Sequence, residues 1–190
     1  MSLLKRIRFT LREMKAYKSD LGNLVSDPYF AIDSVLDLNF KVLKERGIRV
    51  IALDFDGVLT PHGRRKPTKE VESWLFDLER NFGGENIYLL SNKPTEERKA
   101  YFKENYPKFQ FISGVRKKPY PDGMEKIIQK AHVLPTEVAL VDDRLLTGCL
   151  AALIAKAKPI YIKKAQSDFK GELLSEVFFA ILRKLEKIWV

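Results

Sequence analysis

Five short apolar runs, Arg49–Phe55, Ile87–Leu90, Phe109–Ile112, Val138–Val141 and Pro159–Ile162, alternate along the chain with stretches of helical spacing. The intervening segments Lys69–Asn81, Glu96–Asn105, Asp122–Ala131 and Leu145–Ala157 place apolar residues on one helical face, as Val71, Trp74, Leu75 and Leu78 do in the first. Strand-length apolar runs that alternate with helices imply a parallel sheet covered on both faces. The expected fold is therefore a Rossmann-like α/β domain in three α/β/α layers with a mostly parallel sheet. Helical patterns extend it at both ends, Ala31–Arg46 stopping at Gly47 and Leu173–Ile188 near the terminus. This divides the chain into basic amphipathic and lead-in helices over 1–46, an α/β core over 47–165, and a C-terminal helix within 166–190.

At 190 residues the chain suits one domain and is long enough to bury a real core. Its 45% hydrophobic and 31% charged residues exclude a disordered chain. No apolar run approaches the roughly 20 residues that span a bilayer, and no signal-peptide core is present. The lone cysteine, Cys149, excludes an internal disulfide framework and suits a reducing, cytoplasmic setting. Set among Leu145, Leu146, Leu150 and Ala151, it reads as a buried packing thiol rather than a nucleophile.

The formal net charge of +9 favours anionic partners. Lys5, Arg6, Arg8, Arg12, Lys15 and Lys18 oppose only Glu13 in residues 1–18, so more than half of that excess lies in the first tenth of the chain. With Leu3, Leu4, Ile7, Leu11 and Met14 at helical spacing between them, these residues form a basic amphipathic helix. Such a helix either lies on an anionic membrane surface or packs on the domain with its cations solvated. A transit peptide is a third reading, against which stand the scarcity of serine and the presence of Glu13 and Asp20. Phe9 and Tyr17 are too few aromatics for a single-strand platform, so no nucleic-acid partner is expected. The resulting expectation is a cytoplasmic protein, peripheral on the inner face of the membrane.

Ligands of open parallel sheets gather at the carboxyl ends of the strands, so the residues there carry the functional argument. The first strand ends in Leu53-Asp54-Phe55-Asp56-Gly57, whose alternation turns Asp54 and Asp56 toward one side. Two carboxylates so close repel unless a proton or a cation intervenes, and hard oxygen ligands favour magnesium. The second strand ends in Ser91-Asn92-Lys93-Pro94, where a hydroxyl and an amide can bond phosphoryl oxygens or merely cap the next helix. Arg116-Lys117-Lys118-Pro119 follows the third, either as a cation for a phosphoryl group or as an exposed basic turn. The fourth ends in Asp142-Asp143-Arg144, a pair that completes a metal site or caps a helix.

The order of these four sets resembles the haloacid dehalogenase superfamily, whose motifs are Asp-x-Asp, Ser/Thr, Lys and an acidic pair or Gly-Asp. The likeness spans roughly residues 48–163. It implies a phosphatase in which Asp54 attacks phosphorus and Asp56 serves as acid and base. Ser91, Asn92 and Lys118 would hold the phosphoryl oxygens, with Lys118 preferred to Lys117 because it directly precedes Pro119. Magnesium would be bound by Asp54, the Asp56 carbonyl and Asp143, with Asp142 a further candidate. The intervals Asp56–Ser91 and Ser91–Lys118 each hold one helix and its strand, leaving no room for the cap domain of many members.

Among capless (subfamily IIIA) members the chain is similar to the YqeG-type group and the phosphatidylglycerophosphate phosphatases. The likeness lies in Asp33-Ser34-Val35-Leu36-Asp37-Leu38, Leu43-Lys44-Glu45-Arg46-Gly47-Ile48, Leu90-Ser91-Asn92, Arg144-Leu145-Leu146-Thr147 and Leu182-Arg183-Lys184-Leu185-Glu186. It implies a phospholipid head group as substrate. The chain departs from that group at Asp142-Asp143-Arg144, where Gly-Asp-Gln is usual, and at Asp56-Gly57-Val58-Leu59-Thr60. The latter wording is similar to the phosphatases of 3-deoxy-octulosonate phosphate, which gives a soluble sugar-phosphate substrate as the second reading. A non-catalytic membrane or nucleic-acid binding module on the same scaffold is a third. His62 and Arg144 are candidate substrate contacts, His62 otherwise being a bystander on a polar loop.

Overall fold

The computed structural model describes residues 3–92, 94–168, 171 and 173–190. Two helices, α1 (Leu3–Ala16) and α2 (Lys18–Ser26), lead to an edge strand β1 (Ala31–Ile32) and a short helix α3 (Phe40–Glu45). The alternating core then runs β2 (Val50–Leu53), α4 (Lys69–Phe82), β3 (Ile87–Leu89), α5 (Glu96–Asn105), β4 (Gln110–Phe111), α6 (Asp122–Ala131), β5 (Val138–Asp142), α7 (Leu150–Ile154) and β6 (Lys158–Ile162). Helix α8 (Leu173–Trp189) follows it.

The strands form one parallel sheet in the order β1-β6-β5-β2-β3-β4. From β2 the chain steps to β3 on one side and later fills β5 on the other, so the strand ends of β2, β3 and β5 frame the switch point where open α/β sheets bind ligands. The strand alternation explains why both faces are apolar. Ile51, Leu53, Leu89 and Val141 pack on one side with Leu75, Leu78 and Phe102, while Val50, Ala52, Tyr88 and Leu140 pack on the other with Met124 and Ile127. No cap domain interrupts the alternation among the described residues, as expected.

Helix α4 illustrates the local logic. Thr68 caps it by accepting from Val71 N at 3.4 Å, and Gly83, at φ 79°, ends it. A cap of this kind contributes about 1 kcal/mol. Burial of Leu75 and Leu78, both fully enclosed, contributes about 1.5–3 kcal/mol each, so the apolar stripe decides where the helix lies.

Two expected helices are revised. The stretch Ala31–Arg46 is not one helix but β1, a 3-10 turn at Val35–Asp37 and then α3. Asp27 Oδ1 accepts from the main-chain N–H groups of Tyr29 and Phe30, and Phe30 O accepts from Tyr161 N at 2.7 Å, which turns the chain onto the sheet edge. Ser34 and Asp37 form a reciprocal capping box, and Asn39 caps α3 by accepting from Val42 N at 3.1 Å. Short polar side chains thus satisfy main-chain groups that a continuous helix would have used. The stretch Leu145–Ala157 likewise begins as a π turn at Leu145–Cys149 before α7, a distortion that recurs at functional sites.

Candidate active site

Asp54 stands immediately past β2, its N–H donating to Val141 O at 2.9 Å so that the β2 and β5 ends advance together. Asp142 is the last residue of β5 and Asp143 follows it; both are fully buried. One oxygen from each of Asp54, Asp142 and Asp143 lies within 4.8 Å of the other two. Two glycines allow this. Gly57 has φ +81°, and a Cβ on it would meet Asp143 Oδ2 at 2.5 Å; a Cβ on Gly148 would fall inside the Asp142 carboxylate.

Lys118 reaches the same point from the loop before α6. Its Nζ lies 3.0 Å from Asp54 Oδ1 and pairs closely with Asp142 Oδ2. Asn92 fixes that loop: its Oδ1 accepts from Lys118 N at 2.7 Å and its Nδ2 donates to Lys118 O at 3.5 Å. Asp142 Oδ1 accepts from Arg144 N at 2.9 Å, so both Asp142 oxygens are engaged inside the protein. Asp143 Oδ2 accepts from Arg183 Nη1 at 2.7 Å, whereas its buried Oδ1 has no hydrogen-bond partner among the described residues.

Among the described residues, these three carboxylates form ion pairs with Lys118 and Arg183. Burial pushes the Asp54 carboxyl up to about 7; Lys118 opposes this, and Asp142 and Asp56 add to it. Burial, reinforced by Asp142 and Asp54, lifts Asp143 to about 8 against the pull of Arg183 and Arg144. Burial disfavours the Lys118 charge too, but Asp142 and Asp54 outweigh it and raise its pKa. The gathering of three carboxylates and the unpartnered Asp143 oxygen among the described residues fit a divalent cation held by hard oxygen ligands.

Asp56 stands apart from the three-carboxylate cluster. Arg98 Nη1 donates to its Oδ2 at 2.9 Å and Nη2 to its Oδ1 at 2.6 Å, and Gly63 N donates to Oδ1 at 3.2 Å. The clamp follows from the start of α5, where Thr95 accepts from Arg98 N at 3.4 Å and sets Arg98 in the first turn. The guanidinium is buried over the Phe55 ring, 4.0 Å from its centroid, and also donates to Arg64 O.

An open cleft of about 290 Å³ brings together Asp54, Asp56, His62, Ser91, Asn92, Lys118, Asp143 and Arg144. Lys93, which follows Asn92 in the chain, lies outside the described residues. His62 is buried, not on a polar surface loop: its ring stacks on Phe179 at 3.9 Å and its Nδ1 lies 3.4 Å from Glu176 Oε2. Burial pushes the His62 imidazole below its usual pKa, against the pull of Glu176. Arg144 pairs with Glu186, which also accepts from Leu145 N at 3.0 Å.

Sequence reading missed Arg98, Glu176, Phe179, Arg183 and Glu186. For Arg98 no local motif existed. For the others a signal was present, since Glu176, Phe179, Arg183 and Glu186 share one stripe of α8, a helix otherwise rich in Leu, Ile and Phe.

Residues 24–165 match the model of a family described as mitochondrial PGP phosphatase. No curated protein matches the chain. Among solved structures, an uncharacterized protein from Listeria monocytogenes serotype 4b superimposes with a TM-score of 0.51 at 15% identity, over 65% of this chain and 84% of that one. A haloacid dehalogenase-like hydrolase from Streptococcus pneumoniae does so at 0.50 and 13% identity, over 68% and 91%. A hypothetical protein from Xanthomonas campestris gives 0.50 and 17%, over 82% and 95%. At such identities these structures speak for the fold, while the family match covers most of the chain. The chain belongs to the PGP phosphatase family, is a phosphatase, and shares the fold of a haloacid dehalogenase-like hydrolase.

Proposed function

We propose that this phosphatase is magnesium-dependent and releases phosphate from phosphatidylglycerophosphate through an aspartyl-phosphate on Asp54. The observation that carries the reading is the sharing of one open cleft by Asp54, Lys118 and Asp143, with Lys118 Nζ 3.0 Å from Asp54 Oδ1. In this reading an Asp54 oxygen forms a bond to phosphorus as the bond to the ester oxygen breaks, and Asp56 gives that oxygen its proton. Asp56 then takes a proton from a water that attacks the phosphorus, which frees phosphate and restores Asp54. Lys118 and Ser91 hold the phosphoryl oxygens, and Asn92 positions Lys118. Asp54, the Asp56 carbonyl and Asp143 would hold the ion, while Asp142 anchors Lys118 as well as bordering the metal. A bound magnesium supplies screening between the anionic ester and the attacking carboxylate.

The family match and the absence of a cap among the described residues support an ester displayed on something large. Exposed Lys5, Arg8, Arg12 and Lys15 on α1 support contact with an acidic leaflet, on the inner face of a membrane. No helix among the described residues is long and apolar enough to cross it. The test is phosphate release with magnesium from phosphatidylglycerophosphate in mixed micelles against 3-deoxy-octulosonate phosphate and other soluble monoesters. Preference for the lipid supports the reading; preference for the sugar acid would replace the substrate and keep the chemistry.

A further inference from the structure

Helix α8 is amphipathic in the reverse of the usual sense. A surface helix normally turns its apolar stripe to the core and its charges to water. Here the inward stripe is charged: Glu176 accepts from the main-chain N–H groups of His62 at 2.9 Å and Asp168 at 3.3 Å, Arg183 binds Asp143, and Glu186 binds Arg144. The outward face is apolar, with Leu174 88%, Phe178 57%, Ile181 54%, Ile188 71% and Trp189 59% exposed. Solvent is a poor partner for such a face, and contiguous apolar patches of this kind mark interaction sites.

The face does not stand alone. Leu3, Leu4, Ile7 and Leu11 of α1 are exposed as well. A groove lined by Ile7 and Leu11 together with Leu182, Leu185 and Trp189 joins the two helices into one apolar surface. Charge decides what covers it. The exposed charges of α8 are Lys184 and Lys187, since Glu176 and Glu186 are buried. On α1 the basic Lys5, Arg8, Arg12 and Lys15 are exposed, and the one acid, Glu13, is paired with Arg12. A second copy would oppose this cationic rim with another. An anionic lipid surface complements both the rim and the apolar centre.

We propose that the outward face of α8, with α1 beside it, is a platform that rests in the interface of an anionic bilayer. Ser175 and Phe179 of the same helix line the catalytic cleft, so docking brings the cleft mouth beside the lipid head groups. The proposal extends the lipid reading above and rests on it only for the identity of the ester.

The full chain is sedimented with vesicles of phosphatidylcholine alone and of phosphatidylcholine mixed with phosphatidylglycerol, beside a Phe178→Glu/Ile181→Glu double variant. The wild type should pellet with the anionic vesicles, and the variant should lose at least about tenfold in affinity while hydrolysing soluble p-nitrophenyl phosphate at the wild-type rate. A second measurement needs no variant: with Trp74 buried and Trp189 exposed, the wild-type fluorescence should shift to the blue on anionic vesicles. Equal binding by the variant, no spectral shift, or a wild-type dimer that the variant splits with vesicle binding unchanged would each overturn the proposal. Because the docking assay contains no phosphatidylglycerophosphate, its failure is distinct from failure of the substrate assignment.

Discussion

Arg98 grips Asp56 with both terminal nitrogens, at 2.9 and 2.6 Å, although the two residues come from different elements on either side of β3. Arg98 is 2% exposed, and its guanidinium packs on Phe55. It therefore ties the position of the proposed acid and base to the first turn of α5.

Arg98→Met should lower kcat about ten- to a hundredfold with little change in KM, since misplacing a catalytic group by an ångström costs about that much. Arg98→Lys should restore part of the loss. Steady-state kinetics on a soluble monoester separates the two parameters. An increase in KM alone would show that Arg98 binds substrate and does not position Asp56.

The grouping of the proposed site residues was legible in the sequence because each lies next to a strand end in the chain. Asp54, Ser91, Lys118 and Asp143 could be placed by strand order, and the cleft contains all four. What could not be read depends on contacts across long separations. Arg98 meets Asp56 only after α5 folds back. Periodicity identified α8 as a helix but not which stripe turns inward, and its inner charges look solvated until Asp143, His62 and Arg144 are found beneath them. The interruption of 31–46 was written in Ser34, Asp37 and Asn39, whose capping geometry outweighed the helical spacing.

The proposed metal site should make stability depend on pH in a defined sense. Without metal, Asp54 and Asp143 hold protons up to about 7 and about 8, against 3.8 for an ordinary aspartate. Between these limits the folded chain binds more protons than the unfolded one, so its stability falls as pH rises through that window. Magnesium binds the deprotonated carboxylates, so its stabilising effect should be larger at about pH 8 than at about pH 5.5. Thermal melts with EDTA and with magnesium at both pH values check this, and Asp143→Asn should flatten the dependence. An equal magnesium shift at both would contradict the assignment.

Gly148 lies against the Asp142 carboxylate with no room for a methyl group. Gly148→Ala should displace Asp142 from Lys118 and cost about 1–3 kcal/mol of stability, with a larger loss of activity than of folded protein. Denaturant unfolding and kinetics on one preparation measure both. An alanine variant with full activity would show that Lys118 does not depend on Asp142 for its position.

The central claim is that Asp54 takes the phosphoryl group itself. The direct measurement is acid-quenched trapping of radiophosphate from labelled phosphatidylglycerophosphate in the presence of magnesium, followed by peptide mapping. The account predicts a hydroxylamine-labile label on the peptide containing Asp54 in the wild type, and its absence in Asp54→Asn with activity reduced at least about a thousandfold. Phosphate release by Asp54→Asn at the wild-type rate, or label on another residue, would contradict it.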